Sequence, residues 1–331
     1  MKIPKIVFVC VGVLSLAVCA VAQQSGNYPA QPVKVVVPYP AGSTVDLIGR
    51  VVAEKLSQIW GQPVNVENRP GPGTVPGANE VAKSKPDGYT LLSFGIAYVF
   101  EPLVLTNLPY DSEKDLVAVA PYARQPFALA ASPSLGVKSV ADLVALAKAK
   151  PGLKFGSLGS TTPVYFVAEQ FKKQTQIDMA HVSYKSTIDA NEATAKGEVA
   201  FWFSPVAVAL AGAKEGKVTP LAVTADKRSA MLPQVPTMAE AGVKNMEKAA
   251  WFGMWAPAGT PAGIIEKIAK DISSVLESPE VREKLSKMGA EPMSMTPSQF
   301  AAFVRGETEA NRLFLNELGV KPQPYVAPKK E

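Results

Sequence analysis

The chain has 331 residues, 47% of them hydrophobic, with a formal net charge of +5, two cysteines and a single histidine. One histidine and two cysteines exclude most zinc chemistry. Scattered basic residues, without a stripe interleaved with aromatics, argue against nucleic-acid binding.

Taken in chain order, Lys2 and Lys5 precede an apolar run from Ile6 to Val21, and Ala20-Val21-Ala22 forms a small-x-small cleavage pattern before Gln23. This is the layout of a secretory signal peptide over residues 1–22. The run of about 16 residues is short of the roughly 20 that a spanning helix needs, which disfavours a membrane anchor. A lipoprotein acylated at Cys19 is the third reading, against which Val18 is bulkier than the small residue expected before such a cysteine. Cleavage removes Cys10 and Cys19 and, with Lys2 and Lys5 gone, lowers the net charge from +5 to +3. The exported chain then has no thiol, disulfide or cysteine ligand and depends on its core alone. Its length suffices for one large domain or two medium ones.

Strand and helix patterns then alternate. Val33–Pro38 is a continuous apolar run, as a strand buried on both faces requires. Ser43 to Trp60 is predicted helical, with Leu47, Ile48, Val51, Val52, Leu56 and Ile59 recurring at helical spacing. Pro63–Asn68 reads as a strand, Arg69 to Gly77 as a turn rich in glycine and proline, Ala78–Lys83 as a short helix and Tyr89–Phe94 as a third strand. Further strands are predicted at Phe127–Ser132, Lys154–Leu158, Met179–Ser183 and Val199–Phe203, with helices at Val140–Lys148, Pro163–Gln174 and Ile188–Lys196 between them. Leu221–Thr224 and Trp251–Ala256 add two strands. Predicted helices over Ala262–Leu276 and Pro297–Leu318 precede a short low-complexity tail, Lys321–Glu331. This alternation predicts mostly parallel sheets covered by helices. No long linker separates two halves, so two lobes require the chain to cross between them twice, at Gln125-Pro126 and near Trp251.

Two strand-to-helix loops carry the candidate chemistry. In Pro38-Tyr39-Pro40-Ala41-Gly42-Ser43-Thr44-Val45-Asp46, Ser43 suits an N-cap with Asp46 three residues on, an acidic variant of the capping box. Backbone N–H groups from Gly42 to Val45 would then face outward at the positive end of the helix, where carboxylate or phosphate binds readily. An ordinary capped helix start would look the same. In Leu158-Gly159-Ser160-Thr161-Thr162-Pro163, Thr162 suits an N-cap and Pro163 the first helical position. Ligands of open α/β sheets sit outside the carboxyl ends of strands, where both loops lie. Tyr39, Tyr98, Phe100, Tyr165, Phe166, Trp202 and Phe203 fall near strand ends, where they either pack the core or line a cleft. Strand alternation places Trp202 and Phe203 on opposite faces.

Enzymes find little support. A Ser-His-Asp hydrolase would need His181, which falls in a predicted strand, and no G-x-S-x-G elbow precedes a helix. Gly71-Pro-Gly73-Thr-Val-Pro-Gly77 lacks dinucleotide-loop spacing, and its prolines remove donors.

Several ordered stretches resemble the tripartite tricarboxylate transporter receptors, the Bug family of periplasmic solute-binding proteins. They include Val36-Val-Pro-Tyr-Pro-Ala-Gly42, Val66-Glu-Asn-Arg-Pro-Gly71, Lys85-Pro-Asp-Gly-Tyr-Thr-Leu-Leu92, Leu232-Pro-Gln-Val-Pro-Thr237 and Trp251-Phe-Gly-Met-Trp-Ala-Pro-Ala-Gly-Thr-Pro261. The resemblance covers roughly Tyr28 to Leu318. It implies an α/β, two-lobed type II periplasmic-binding-protein fold with mostly parallel sheets and an interlobe ligand cleft. On that expectation, residues 27–124 plus 252–331 form lobe 1 and 125–251 form lobe 2. It further implies a monomer without cofactor that holds a small organic carboxylate and passes it to integral membrane transporter subunits. Expected ligand-binding residues are Tyr39, Ala41, Gly42, Ser43, Thr44, Asp46, Tyr98, Gly159, Ser160, Thr161, Thr162, Tyr165, Phe203 and Ser204. Three departures stand out. The first loop has fewer glycines than the family's, Val164-Tyr165 replace a common histidine region, and Ser204 replaces a common aspartate that would pair with a ligand amine. These point to an aromatic or extended dicarboxylate. The competing functions are a periplasmic sensor subunit for a membrane kinase and an exported hydrolase using Ser160 or Ser43 with His181.

Overall fold

The valine run forms strand β1 (Val33–Val37), and its four valines are fully buried. The computed structural model describes residues 27–160 and 162–327. The signal-peptide reading of residues 1–22, with Cys10 and Cys19, and the candidate Thr161 lie outside the described residues. Helix α1 (Thr44–Trp60) lays Ile48, Val52 and Leu56 into the same core cluster as β1. Strands β2 (Val64–Asn68) and β3 (Thr90–Gly95) flank β1 in parallel, with Val33 opposite Val64 and Val35 opposite Leu91.

Helices α2 (Val75–Ala82), α3 (Ala97–Val104) and α4 (Ser112–Asp115), with the two-residue strand β4 (Leu105–Thr106), complete this region before the long strand β5 (Leu116–Ala131). Then follow α5 (Val140–Ala149), β6 (Lys154–Ser157), α6 (Pro163–Thr175), β7 (Ala180–Ser183), α7 (Thr187–Ala195), β8 (Phe201–Pro205), α8 (Val206–Lys214) and β9 (Thr219–Val223). The chain returns through β10 (Ala249–Pro257) and ends with α9 (Ala262–Glu277), α10 (Pro279–Lys287), β11 (Glu291–Pro292), α11 (Pro297–Glu317) and β12 (Gln323–Pro324).

The main strand order is β2-β1-β3-β10-β5-β8-β6-β7. Pairing is parallel among β1, β2 and β3 and again among β6, β7 and β8. The two parallel sets are joined by β5 and β10, which run antiparallel to each other. Strand β5 changes partner midway: it pairs with β10 as far as Pro126, then with β8 from Phe127. The sheet is therefore mixed where the chain crosses and parallel on either side.

Three differences from the sequence expectation have physical causes. The sequence pattern gives only Phe127–Ser132 as strand, whereas β5 starts at Leu116 and runs through Pro121 and Pro126. Pro121 sits at a register shift, where Phe252 faces Ala123 but Gly253 faces Pro121, and proline is tolerated at such bulges. Helix α2 begins at Val75 rather than Ala78, since Pro76 occupies the first turn, where its missing N–H has no helical partner to lose. Helices α3, α8 and α10 escape the periodicity reading: α3 is apolar almost all round and contains Pro102, and α10 buries only Val281 and Leu285.

The core divides accordingly. One cluster joins β1, α1 and α9 through Val35, Ile48 and Ile268. Another joins β6, α6 and β8 through Phe155, Phe171, Phe201 and Phe203, with Trp202 on the opposite face against Ala130, Ala190 and Val218. A third cluster of Phe94, Tyr98, Phe100, Trp255 and Phe300 takes in Phe166 from α6.

Candidate functional site

The loop leaving β1 is shaped by one buried carboxylate. Asp46, 1% exposed, accepts the Gly42 N–H at 2.8 Å, Arg50 Nε at 2.9 Å and Asn68 Nδ2 at 2.8 Å. Asn68 Nδ2 also reaches the Tyr39 carbonyl at 3.0 Å, tying the loop to β2. Gly42 turns at φ 82°, a left-handed conformation that glycine adopts without strain. Burial pushes the Asp46 carboxyl up, but the donors from Arg50, Gly42 and Asn68 outweigh it and hold it below the usual range. The expected set of free N–H groups is thus corrected. Gly42 is spent on Asp46, and Ser43 N–H donates to the Pro40 carbonyl at 3.2 Å. Thr44 and Val45, at the first two helical positions, have no N–H partner among the described residues. Ser43 Oγ accepts the Asp46 N–H at 3.4 Å, the cap anticipated from its position.

The turn Arg69–Gly77 supports this loop by close approach. A Cβ on Gly77 would sit 2.8 Å from Pro38 Cβ and 3.0 Å from the Arg69 carbonyl oxygen. Alanine ordinarily gains about 1 kcal/mol over glycine within a helix. Gly77→Ala is nevertheless expected to lower the melting temperature, because the loop after β1 must move; a rise in thermal unfolding measurements would contradict that.

The loop leaving β6 closes on itself. Gly159 N–H donates to Ser157 Oγ at 3.1 Å, and Thr162 returns both its N–H (3.1 Å) and its hydroxyl (2.7 Å) to the Gly159 carbonyl. The Thr162 hydroxyl is therefore committed within the loop and makes no side-chain cap. Pro163 lacks a donor, and Tyr165 and Phe166 donate to the Thr162 carbonyl, which leaves Val164 N–H without a partner among the described residues. Ser160 is exposed.

These two loops approach one cavity of about 400 Å³. Tyr39, Ala97, Phe100 and Glu101 line one side, and Thr162 and Pro163 the other. Pro324, Tyr325 and Val326 form a third wall: the tail pairs β12 with β4 in parallel, and Tyr325 N–H donates to the Thr106 carbonyl at 2.8 Å. Of the expected ligand residues, Tyr39 and Thr162 line this cavity. Ala41, Gly42, Ser43, Thr44, Asp46, Gly159 and Ser160 belong to the loops that carry them. Tyr165 packs half-buried against His181 and Phe166. Tyr98, Phe203 and Ser204 are placed elsewhere. Tyr98 stacks on Trp255 at 4.8 Å and donates its hydroxyl to the Ser112 carbonyl at 2.5 Å. Phe203 is fully buried beside Phe171 and Phe201, and Ser204 is fully buried with its hydroxyl donated to the Pro205 carbonyl at 3.1 Å. Each satisfies core packing or a local carbonyl, so none of the three faces the cavity.

The sequence reading missed Thr74, Glu101 and Tyr325. Glu101 did carry a signal, a lone acid within the otherwise apolar Ala97–Val104 stretch. Its carboxylate accepts the hydroxyls of Thr74 and, at 2.9 Å, Tyr110.

His181 Nε2 lies 2.6 Å from Ser157 Oγ, a different serine from the two considered for hydrolysis. Ser157 is fully buried, and its hydroxyl is also in contact with the Gly159 backbone. Burial lowers the His181 pKa, with Glu169 opposing and Lys172 reinforcing, so the ring is neutral near pH 7. The pair braces the β6 loop. Among the described residues, no group of three or more His, Cys, Asp or Glu is placed to hold a metal ion, and no helix is long and apolar enough to cross a membrane.

A cavity lined by Tyr39 from the β1 loop and by Thr162 and Pro163 at the α6 start is the kind of concave site that binds a small solute. The profile of the tripartite tricarboxylate transporter family receptor matches residues 48–320, and the chain belongs to that family. It is 33% identical over 313 residues to the protein BugT of Bordetella pertussis, covering 93% of this chain and 95% of BugT. Among solved structures it is similar to R. palustris Rpa4515 with adipate, at 32% identity and TM-score 0.80, covering 89% of this chain and all of that one. It is also similar to MatC of Rhodopseudomonas palustris with bound malate, at 27% identity and TM-score 0.75, covering 87% of this chain and 100% of that one. Members of the family are periplasmic binding proteins, and the fold is the two-lobed α/β periplasmic-binding-protein fold.

Proposed function

We propose that this protein captures a small organic carboxylate with an extended or aromatic body in the cavity between Tyr39 and Thr162 and delivers it to the membrane subunits of a tripartite tricarboxylate-type transporter. It works as a monomer without catalytic chemistry, after export on residues 1–22. One lobe comprises residues 27–124 and 252–331, and the other 125–251. The observation that carries this reading is the cavity itself: Tyr39 of the β1 loop and Thr162 and Pro163 at the α6 start line it, and on these same segments the N–H groups of Thr44, Val45 and Val164 have no partner among the described residues. Such donors, aligned with the helix dipole, suit a carboxylate, and the ring of Phe100 suits an apolar body. The adipate and malate of the neighbouring structures agree in chemical class. Closure of the lobes excludes water and strengthens these hydrogen bonds.

A thermal-shift screen of unfolded and refolded protein tests this against mono-, di- and tricarboxylates. The melting temperature is expected to rise with at least one carboxylate and to keep rising with its concentration, as mass action requires. A flat response in folded, ligand-free protein would refute the carboxylate assignment.

A further inference from the structure

Glu101 sits on the cavity wall, 5% exposed. Its two oxygens receive the hydroxyls of Thr74 and Tyr110. A carboxylate offers about four acceptor positions, so this leaves capacity for further donors. Among the described residues, no lysine, arginine or histidine lines the cavity, and Glu101 is its one acid. The titratable groups around Glu101 are tyrosines: Tyr39 from the β1 loop, Tyr110 from the segment before α4, and Tyr325 from the tail. A buried acid without a cationic partner is costly, and an incoming positive charge would offset that cost. A second carboxylate would bring no donor to these oxygens.

We infer that the α3 side of the cavity is a subsite for a cationic hydrogen-bond donor, so that the ligand is an amino-carboxylate with its ammonium on Glu101 and its carboxylate toward the helix starts. This rests on the carboxylate-receptor reading and sharpens it. It also departs from the dicarboxylate expected from the sequence, where Ser204 replaced a possible amine partner; Glu101 supplies an acid from another element. Burial holds the Glu101 carboxyl well above the usual range, with the Tyr110 hydrogen bond opposing, and an ammonium beside it would draw it back down.

The test is calorimetric titration of the refolded protein with three chains of matched length: hexanoate, adipate and 6-aminohexanoate. The expected result is binding of 6-aminohexanoate at least tenfold tighter than adipate, with Glu101→Gln erasing that preference. Carboxylate binding with no preference for the amine in the wild-type protein would overturn this inference alone. Failure of all three to bind folded protein would overturn the receptor reading and this inference with it. The wild-type comparison decides the matter even if Glu101→Gln does not fold.

Discussion

Asp46→Ala is expected to lower stability by about 2–3 kcal/mol, because it removes the buried charged acceptor that Gly42, Arg50 and Asn68 share. For a chain of this size that corresponds to a fall of about 3–5 °C in melting temperature. The same change frees the Gly42 N–H and unties Tyr39 through Asn68, so ligand affinity should fall together with stability. The pH dependence carries a sign. The folded pKa of Asp46 lies below its unfolded value of about 3.9, so its contribution is fully present above that pH and is lost as pH falls through the folded pKa. Wild type should therefore lose stability below about pH 4 more steeply than Asp46→Ala. Parallel acid-unfolding curves for the two proteins would show that the carboxylate does not hold the loop.

The second large effect is expected at Phe166. This residue belongs to α6, yet its ring lies 4.9 Å from Phe100 of α3, stacked within 3° of parallel, in the cluster built around Phe94 and Trp255. It is 2% exposed, and removing such a ring costs about 3–5 kcal/mol. The neighbours Val167, Ala168 and Phe171 anchor α6 in its own core without it. Phe166→Ala should therefore weaken the contact between the two parts of the molecule more than the packing within either. The expected readout is a loss of ligand affinity of about 100-fold, as 1.4 kcal/mol is worth tenfold, with a larger radius of gyration in small-angle scattering. Unchanged affinity in a folded variant would mean that this stack does not help close the site.

The contrast between Tyr98 and Phe100 shows where sequence reasoning stops. Both are aromatic, both lie on α3, and both are nearly buried. One finds a carbonyl and a tryptophan face in the core, while the other lines the cavity and meets a ring from α6. Apolar side chains are interchangeable in a pattern, and only the path of the other chain segments decides which face is covered.

By itself the sequence determined what is set within a few residues. Periodicity placed β1, α1, α6 and the closing helices, and the Ser43 cap is written in the spacing Ser43-Thr-Val-Asp46. The two loops that approach the cavity were legible for the same reason, since a strand end followed by a capped helix is a local signal. The tertiary structure alone decided which donors remain free, because Asp46 folds back on Gly42 and Thr162 on Gly159. It alone carried β5 through two prolines, by giving Pro121 a bulge opposite Gly253. It also brought Glu101, Thr74 and Tyr325 together from three separate segments. Those encounters depend on long-range packing, for which no short stretch of sequence carries a signal.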